Sequence, residues 1–312
     1  MTDTLPQTDA AGAADGGYQE ILYSVADRVA TITLNVPDKR NRLSYRMRRD
    51  IVDALRAAER DDDVTVVLIR ANGPSFCAGY DLSPGKPSGD GNAEPQDARY
   101  YRDDDSRPEG WVSSPEFDNW TDQWARSCVR DWMNIWTLLK PVVAMVHGHC
   151  VAGGTELMSM CDIVFVADDA RIGYPPMRGM TTPDVPYFPW KMSMAQAKYL
   201  QLTGNSVSGV EAARIGWVVK SFPAEELEEQ TMRELRAISQ IPVALLSANK
   251  QSVNSAYEMQ GIRTHFDQSW IWHQLSGTVR PGASEFAQRL QAGGLKAALE
   301  WRDGPFQREG FI

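Results

Sequence analysis

The chain has 312 residues, with 41 Asp and Glu against 32 Lys and Arg and a formal charge of -9. That balance argues against a nucleic-acid partner, because such surfaces neutralise several phosphates with clustered cations. The longest apolar stretches, such as Pro141–Val146, are too short to span a bilayer, so no membrane partner is expected. The length suits one α/β core with appendages. Cys77, Cys128, Cys150 and Cys161 lie far apart with no Cys-x-x-Cys pair and no secretory signal ahead of them. A reducing cytoplasm is the expected location.

Residues 1–17 are mostly Thr, Ala, Asp and Gly and lack any aromatic, so they are expected to form a disordered tail. A core over residues 18–223 follows. Val25–Leu34 alternates with β-branched residues and ends in Asn-Val-Pro-Asp, which predicts a strand or a hairpin ending in one. Ser44 sits where an N-cap belongs, and Met47, Ile51, Leu55 and Ala58 recur at helical spacing until Asp61–Asp63. Strands are predicted at Val64–Ile69, Val142–Val146 and Ile163–Val166, with a helix over Gly154–Met160. The recurring β-turn-α-β unit implies a mainly parallel sheet or spiral, with chemistry carried by the loops. Residues 224–312 lose strand signals and predict helices over 225–235, 243–259 and 284–301.

Between core strands lies an insertion, 83–122, rich in Pro, Gly, Ser and Asp and dotted with Tyr100, Tyr101, Trp111 and Trp120. Its composition suits a lid or pocket wall, or alternatively a mobile insertion.

Two segments carry chemistry. Ser75-Phe-Cys-Ala-Gly-Tyr-Asp-Leu82 follows a strand, and its small residue and glycine let the backbone turn sharply and approach a ligand. Such turns are commonly structural. Pro141–Leu157 runs from a strand through a Gly-rich turn into a helix, so the N–H groups near Gly153 sit at a helix N-terminus that favours an anion. Phosphate would suit it too, but neither a P-loop Lys-Ser/Thr nor a G-x-G-x-x-G pattern is present. Glu156, three residues beyond Gly153, can face the same space; an acid or base beside an oxyanion donor is a catalytic arrangement. Taken alone, Glu156 could equally be a solvated helix residue.

These segments resemble the enoyl-CoA hydratase/isomerase (crotonase) superfamily. The match runs through Asn35, Pro37, Asn41 and Leu43, then Phe76–Leu82, His147–Leu157, Cys161-Asp-Ile163, Leu202-Thr-Gly204, and Glu211, Ala212, Gly216 and Val218. The resemblance implies an α/β crotonase-like ββα spiral with a C-terminal helical trimerisation region, assembled as a homotrimer or a hexamer. It implies an acyl-CoA substrate, no metal and no cofactor beyond the coenzyme A of that substrate. By position, the backbone N–H groups of Tyr80 and Gly153 would hold the thioester oxygen, and Glu156 would serve as general acid/base. Lys39, Arg40 and Arg42 occupy the loop that meets CoA in relatives, Arg42 through its backbone carbonyl. Ala78 and Asp81 share the first turn and are assigned to substrate binding with them, as is Lys296 in the C-terminal helices.

One departure matters. Hydratases place a second Glu after the Gly-rich helix, where this chain has Pro176, which neither accepts nor donates a proton. Asp184, eight residues on, falls where isomerases of the superfamily keep a catalytic Asp; the bland alternative is a turn residue after Pro183. Tyr174 is a further candidate for the pocket. His147 and His149 are expected to pack with hydrogen bonds rather than bind metal, and Asp162 to tie a strand start. The sequence therefore points to a lyase first and an isomerase next. A thioester or C–C hydrolase, or a non-catalytic acyl-CoA-binding homologue, stays open because of Pro176.

Overall fold

The computed structural model describes residues 17–82, 119–278 and 281–311. The tail over 1–16 and most of the 83–122 insertion, with the proposed lid, lie outside these residues.

β1 (Ile21–Ala26) and β2 (Val29–Leu34) form an antiparallel hairpin. Asp27 and Arg28 close it, both at positive φ, in keeping with a two-residue turn whose twist matches the strands. The hairpin alternative of the sequence reading is the one observed. α1 (Tyr45–Arg60) starts where Ser44 Oγ accepts the Met47 N–H at 3.0 Å, and its buried face carries Met47, Ile51, Leu55 and Ala58. β3 (Val66–Ala71) follows, two residues later than expected.

α2 (Asn119–Thr137) has no counterpart in the sequence reading. Its buried residues Ala125, Cys128, Trp132 and Ile135 do recur at helical spacing, but they adjoin the polar insertion that masks their period. Then come β4 (Val142–Val146), β5 (His149–Val151), α3 (Gly153–Met160), β6 (Ile163–Ala167) and β7 (Arg171–Gly173). α4 (Phe188–Lys191), α5 (Met194–Thr203), β8 (Ser206–Ser208), α6 (Gly209–Arg214) and β9 (Lys220–Phe222) complete the core.

The large sheet has the order β1-β2-β3-β4-β6-β9, and every pair after the first hairpin is parallel. A smaller sheet pairs β5 with β7 in parallel and β7 with β8 antiparallel. The chain steps from the large sheet to the small one twice, from β4 to β5 and from β6 to β7, which gives the spiral. The first step needs Gly148: its φ is +58°, and a Cβ there would come within 2.1 Å of the Pro74 carbonyl oxygen.

The C-terminal region is helical: α7 (Leu227–Ile238), α8 (Val243–Met259), α9 (Ile262–Asp267), α10 (Ser269–Thr278) and α11 (Pro281–Arg308), the last kinked at Gly294. α9 and α10 were not expected. None of the described helices is long and apolar enough to cross a membrane.

This region is bound to the core by a buried ammonium. Lys250 Nζ on α8 donates to the Ile135 carbonyl at 2.8 Å and the Lys140 carbonyl at 3.2 Å, and pairs with Asp162 at 2.8 Å. Asp162 also accepts the Val142 N–H at 2.7 Å, so the strand-tying role expected of it is observed. Removing one partner strands the others in a dry setting. Lys250→Met is therefore expected to cost about 3 kcal/mol of stability, measured by urea unfolding; a loss below about 1 kcal/mol would contradict the role given to this pair.

Candidate active site

The first turn is gripped on both sides. Asn41, fully buried, accepts the Val36 N–H at 2.8 Å through Oδ1 and donates Nδ2 to the carbonyls of Asn72 at 2.8 Å and Ser75 at 2.9 Å. Further along, Ala78 N–H donates to Arg40 O at 2.9 Å and Leu43 N–H to Gly79 O at 2.7 Å. On the other side, Phe76 N–H reaches His147 O, Cys77 N–H reaches His149 O, and Val151 N–H reaches Cys77 O, each at 3.0 Å. His147 Nε2 contacts Gly73 O at 2.7 Å, the packing role expected for it.

The second turn passes through Ala152, which has φ 53° and ψ -128°, a strained conformation for a residue with a Cβ. Thr155 holds it: its hydroxyl donates to Ala152 O at 2.6 Å and accepts from Tyr187 at 2.6 Å. Glycines let the turns meet. A Cβ on Gly79 would lie 2.6 Å from the Ala152 Cβ and 3.2 Å from the Gly153 nitrogen, and one on Gly154 would lie 2.8 Å from the Cys77 Cβ. Tyr80 and Gly153 thus stand on adjoining backbone turns, and the Tyr80 ring lies against Gly153.

Glu156 projects from the first turn of α3 and is completely buried. Its Oε2 accepts from the Tyr80 hydroxyl at 2.6 Å, its Oε1 accepts from the Asp184 backbone N–H at 2.8 Å, and Tyr174 supplies another hydrogen bond. The solvated-helix alternative is excluded. The Tyr80 hydroxyl in turn accepts from Trp132 Nε1 at 3.0 Å, while the Arg48 guanidinium sits 5.6 Å from the Tyr80 ring centroid and pairs with Asp131 at 2.6 Å. Sequence reading credited Tyr80 only with its N–H; its side chain, Trp132 and Arg48 went unnoticed.

Asp184 is 1 % exposed and lies at a bend after Pro183. Ahead of it the Pro176 carbonyl accepts the N–H groups of Gly179, Met180 and Thr181 in a tight coil, and the Asp184 N–H then meets Glu156. His273 on α10 brings Nδ1 to 2.9 Å from Asp184 Oδ1.

The structure thus gathers Tyr80, Gly153, Glu156 and Asp184 in one place. Of the residues expected to meet CoA, all but Lys296 lie on the first turn or the loop that pairs with it. Lys39 and Arg40 are exposed there, whereas Arg42 pairs with Glu20 at 3.1 Å and with Asp81 at 2.8 Å. The side chains of Arg42 and Asp81 hold loop to turn. Lys296 is exposed on α11, and among the described residues no hydrogen bond or ion pair joins it to that loop. His149 is exposed on β5, and no cluster of three or more His, Cys, Asp or Glu suited to a metal occurs among the described residues.

The enoyl-CoA hydratase/isomerase family model matches residues 25–102 and 118–293. The chain belongs to that family. EchA13 of Mycobacterium tuberculosis, whose name places it with the enoyl-CoA hydratases, is 31% identical over 297 residues, covering 92% of this chain and 90% of its own. The 1,2-epoxyphenylacetyl-CoA isomerase of Escherichia coli is 28% identical, over 85% of this chain and 94% of its own. Among solved structures, an enoyl-CoA hydratase from Mycobacterium smegmatis superposes with a TM-score of 0.78 at 29% identity, covering 92% of this chain and 94% of the other. The crotonase fold expected from the sequence is therefore the fold observed.

Burial pushes the Glu156 carboxyl up to about 8, and the Asp184 charge adds to the rise; hydrogen bonds from Tyr80, the Asp184 N–H and Tyr174 only partly offset it. The shift favours the protonated form of Glu156. Its folded-state value lies above the unfolded one, so its stabilising contribution is full below about 4.5 and is lost as the pH climbs through about 8. Glu156→Gln, which cannot ionise, should gain in melting temperature relative to wild type across that window and level off above it. A pH-independent difference would contradict the raised carboxyl. Ala152→Gly should raise stability by about 1 kcal/mol by relieving the positive φ, read from chemical unfolding; destabilisation would show that Ala152 is not strained.

Proposed function

We propose that the chain shifts a double bond within an acyl-CoA thioester, with Asp184 as the base, Glu156 as the acid and the N–H groups of Tyr80 and Gly153 holding the thioester oxygen. The observation that carries this reading is the pair of carboxyls meeting in one buried site, one of them held protonated. Two carboxyls, one placed to take a proton and one to give it, are the combination that proton transfer between two carbons requires.

Asp184 takes a proton from the carbon next to the thioester, and the electron pair moves onto the thioester oxygen as a conjugated enolate. Preorganised backbone donors stabilise that charge without reorganising. Glu156 gives its proton to the carbon at the far end of the conjugated system, the enolate collapses, and the double bond ends in its new position. The proton gained by Asp184 passes back to Glu156, so nothing is consumed. Lys39 and Arg40, exposed beside the first turn, are assigned to the phosphates of CoA, and Lys296 to the same ligand; coenzyme A enters as part of the substrate. A homotrimer or hexamer is the assembly proposed from the family, and light scattering measures it.

Addition of water is the second reading, favoured by the hydratase names of the relatives. It asks a neutral Glu156 to act as a base, and the position of the second hydratase carboxylate is Pro176. A panel of enoyl-CoA thioesters separates the two: double-bond migration in ²H₂O with solvent label at carbon, against label from H₂¹⁸O in a hydroxyacyl product. Migration should dominate, and Asp184→Asn and Glu156→Gln should each lower it roughly 10²–10⁴-fold. Hydration without migration, or variants that retain wild-type migration, would sink the isomerase reading.

A further inference from the structure

The Tyr80 ring covers Gly153 so closely that a Cβ there would lie 2.6 Å from it, and a bare phenyl ring would cover that glycine equally well. The hydroxyl needs a separate reason, because a buried hydroxyl is costly without partners. It has two partners among the described residues. Trp132 Nε1 lies 3.0 Å away and can only donate, so the phenol oxygen accepts there and its single proton is directed to Glu156 Oε2 at 2.6 Å.

Both ends of this chain of donors are fixed by the fold. Leu43 grips the backbone around Tyr80, its N–H donating to Gly79 O at 2.7 Å and its carbonyl accepting the Asp81 N–H at 3.2 Å. Trp132 is fully buried on α2, which packs against α1, α3 and α10. From α1, Arg48 brings its guanidinium to 5.6 Å from the Tyr80 ring centroid while it pairs with Asp131 and donates to Ser127 at 2.9 Å, both on α2. A donor on the phenol oxygen and a cation beside its ring each strengthen the hydroxyl as a donor. Burial raises that hydroxyl well above its ordinary value, so Tyr80 keeps the proton it offers. The other ionisable groups facing Glu156 are Asp184, Tyr174, Tyr187 and Cys128 of α2, and His273 of α10 stands behind Asp184.

The terminal torsion of a glutamate is broad, so a carboxyl held at one oxygen alone can swing its proton away from a substrate carbon. Here Oε1 accepts the Asp184 N–H at 2.8 Å and Oε2 accepts from Tyr80. We propose that the Tyr80 side chain is a positioning residue for Glu156: its hydroxyl, aimed by Trp132, pins Oε2 and fixes the direction in which the carboxyl presents its proton. Tyr80 thus serves the site twice, its N–H assigned to the thioester oxygen and its hydroxyl to the acid. Through Trp132, α2 becomes part of the site. The catalytic meaning rests on the isomerase reading, while the clamp itself is testable without turnover.

The experiment has two arms on the full chain, both built on Tyr80→Phe, which keeps the backbone N–H and the ring over Gly153. The first needs no substrate: the gain in melting temperature caused by Glu156→Gln is followed against pH in the wild-type and the Tyr80→Phe backgrounds. The hydroxyl favours the ionised form of Glu156, so without it the pH at which that gain levels off should rise by about one unit or more. Trp132→Phe should move it in the same direction by less, and it carries this arm should Tyr80→Phe not fold. A level-off pH that stays put or falls would overturn the clamp. In the kinetic arm, Tyr80→Phe should lower kcat for migration about 10- to 100-fold with KM within about twofold, and the alkaline limb of kcat should move up, because the acid holds its proton longer. Added to Glu156→Gln, it should cost less than about twofold more, since the two act as one unit. Full kcat in Tyr80→Phe, or strict additivity with Glu156→Gln, would overturn the positioning role. A wild-type chain inactive on every enoyl-CoA would sink the isomerase reading alone, leaving the melting arm to judge the clamp.

Discussion

The structure depends on two backbone turns pressed against each other where neither has room for a side chain. Gly79 faces Ala152 and Gly153, and Gly154 faces Cys77, at distances that a Cβ would make impossible. Backbone β-pairing of Cys77 with Cys150 and of Ser75 with Gly148 extends this contact into the small sheet. The loop through Asn41 then fastens the first turn from behind, and Thr155 with Tyr187 fastens the second. Strain at Ala152 is tolerated because so many hydrogen bonds converge on its neighbours.

That contact leaves Glu156 in a dry space, and the rest of the core is arranged around the consequence. An isolated buried carboxylate is costly, so the group keeps its proton and spends its acceptor capacity on Tyr80, Tyr174 and the Asp184 N–H. Tyr80 links this carboxyl to α2 through Trp132, and its ring lies beside the Arg48 guanidinium. The same residue therefore joins the backbone turn, the acid and a helix from a later part of the chain.

The backbone at Pro176 shapes the approach to Asp184. It contributes no proton chemistry, but its carbonyl gathers three N–H groups and turns the chain so that Asp184 arrives beside Glu156. The helices after residue 224 complete the enclosure, with Lys250 binding α8 to the core and α10 lying along α2.

Much of the local structure was legible because its causes are local. Ser44 caps α1, alternation marks the first hairpin, and the glycines of both turns announce tight backbone, so the turn positions of Tyr80 and Gly153 and the helix of Glu156 were readable residue by residue. The period of α2 was present in Cys128, Trp132 and Ile135 but hidden beside a polar insertion, and α9 and α10 went unseen. Tertiary structure alone decided what meets across long separations: Asp184 against Glu156, Tyr80 against Trp132, Arg42 against Asp81, and His273 against Asp184. Glycine spacing and capping act through neighbours in the chain, whereas the ionisation of a buried carboxyl depends on which groups the fold packs around it, and no local pattern records that.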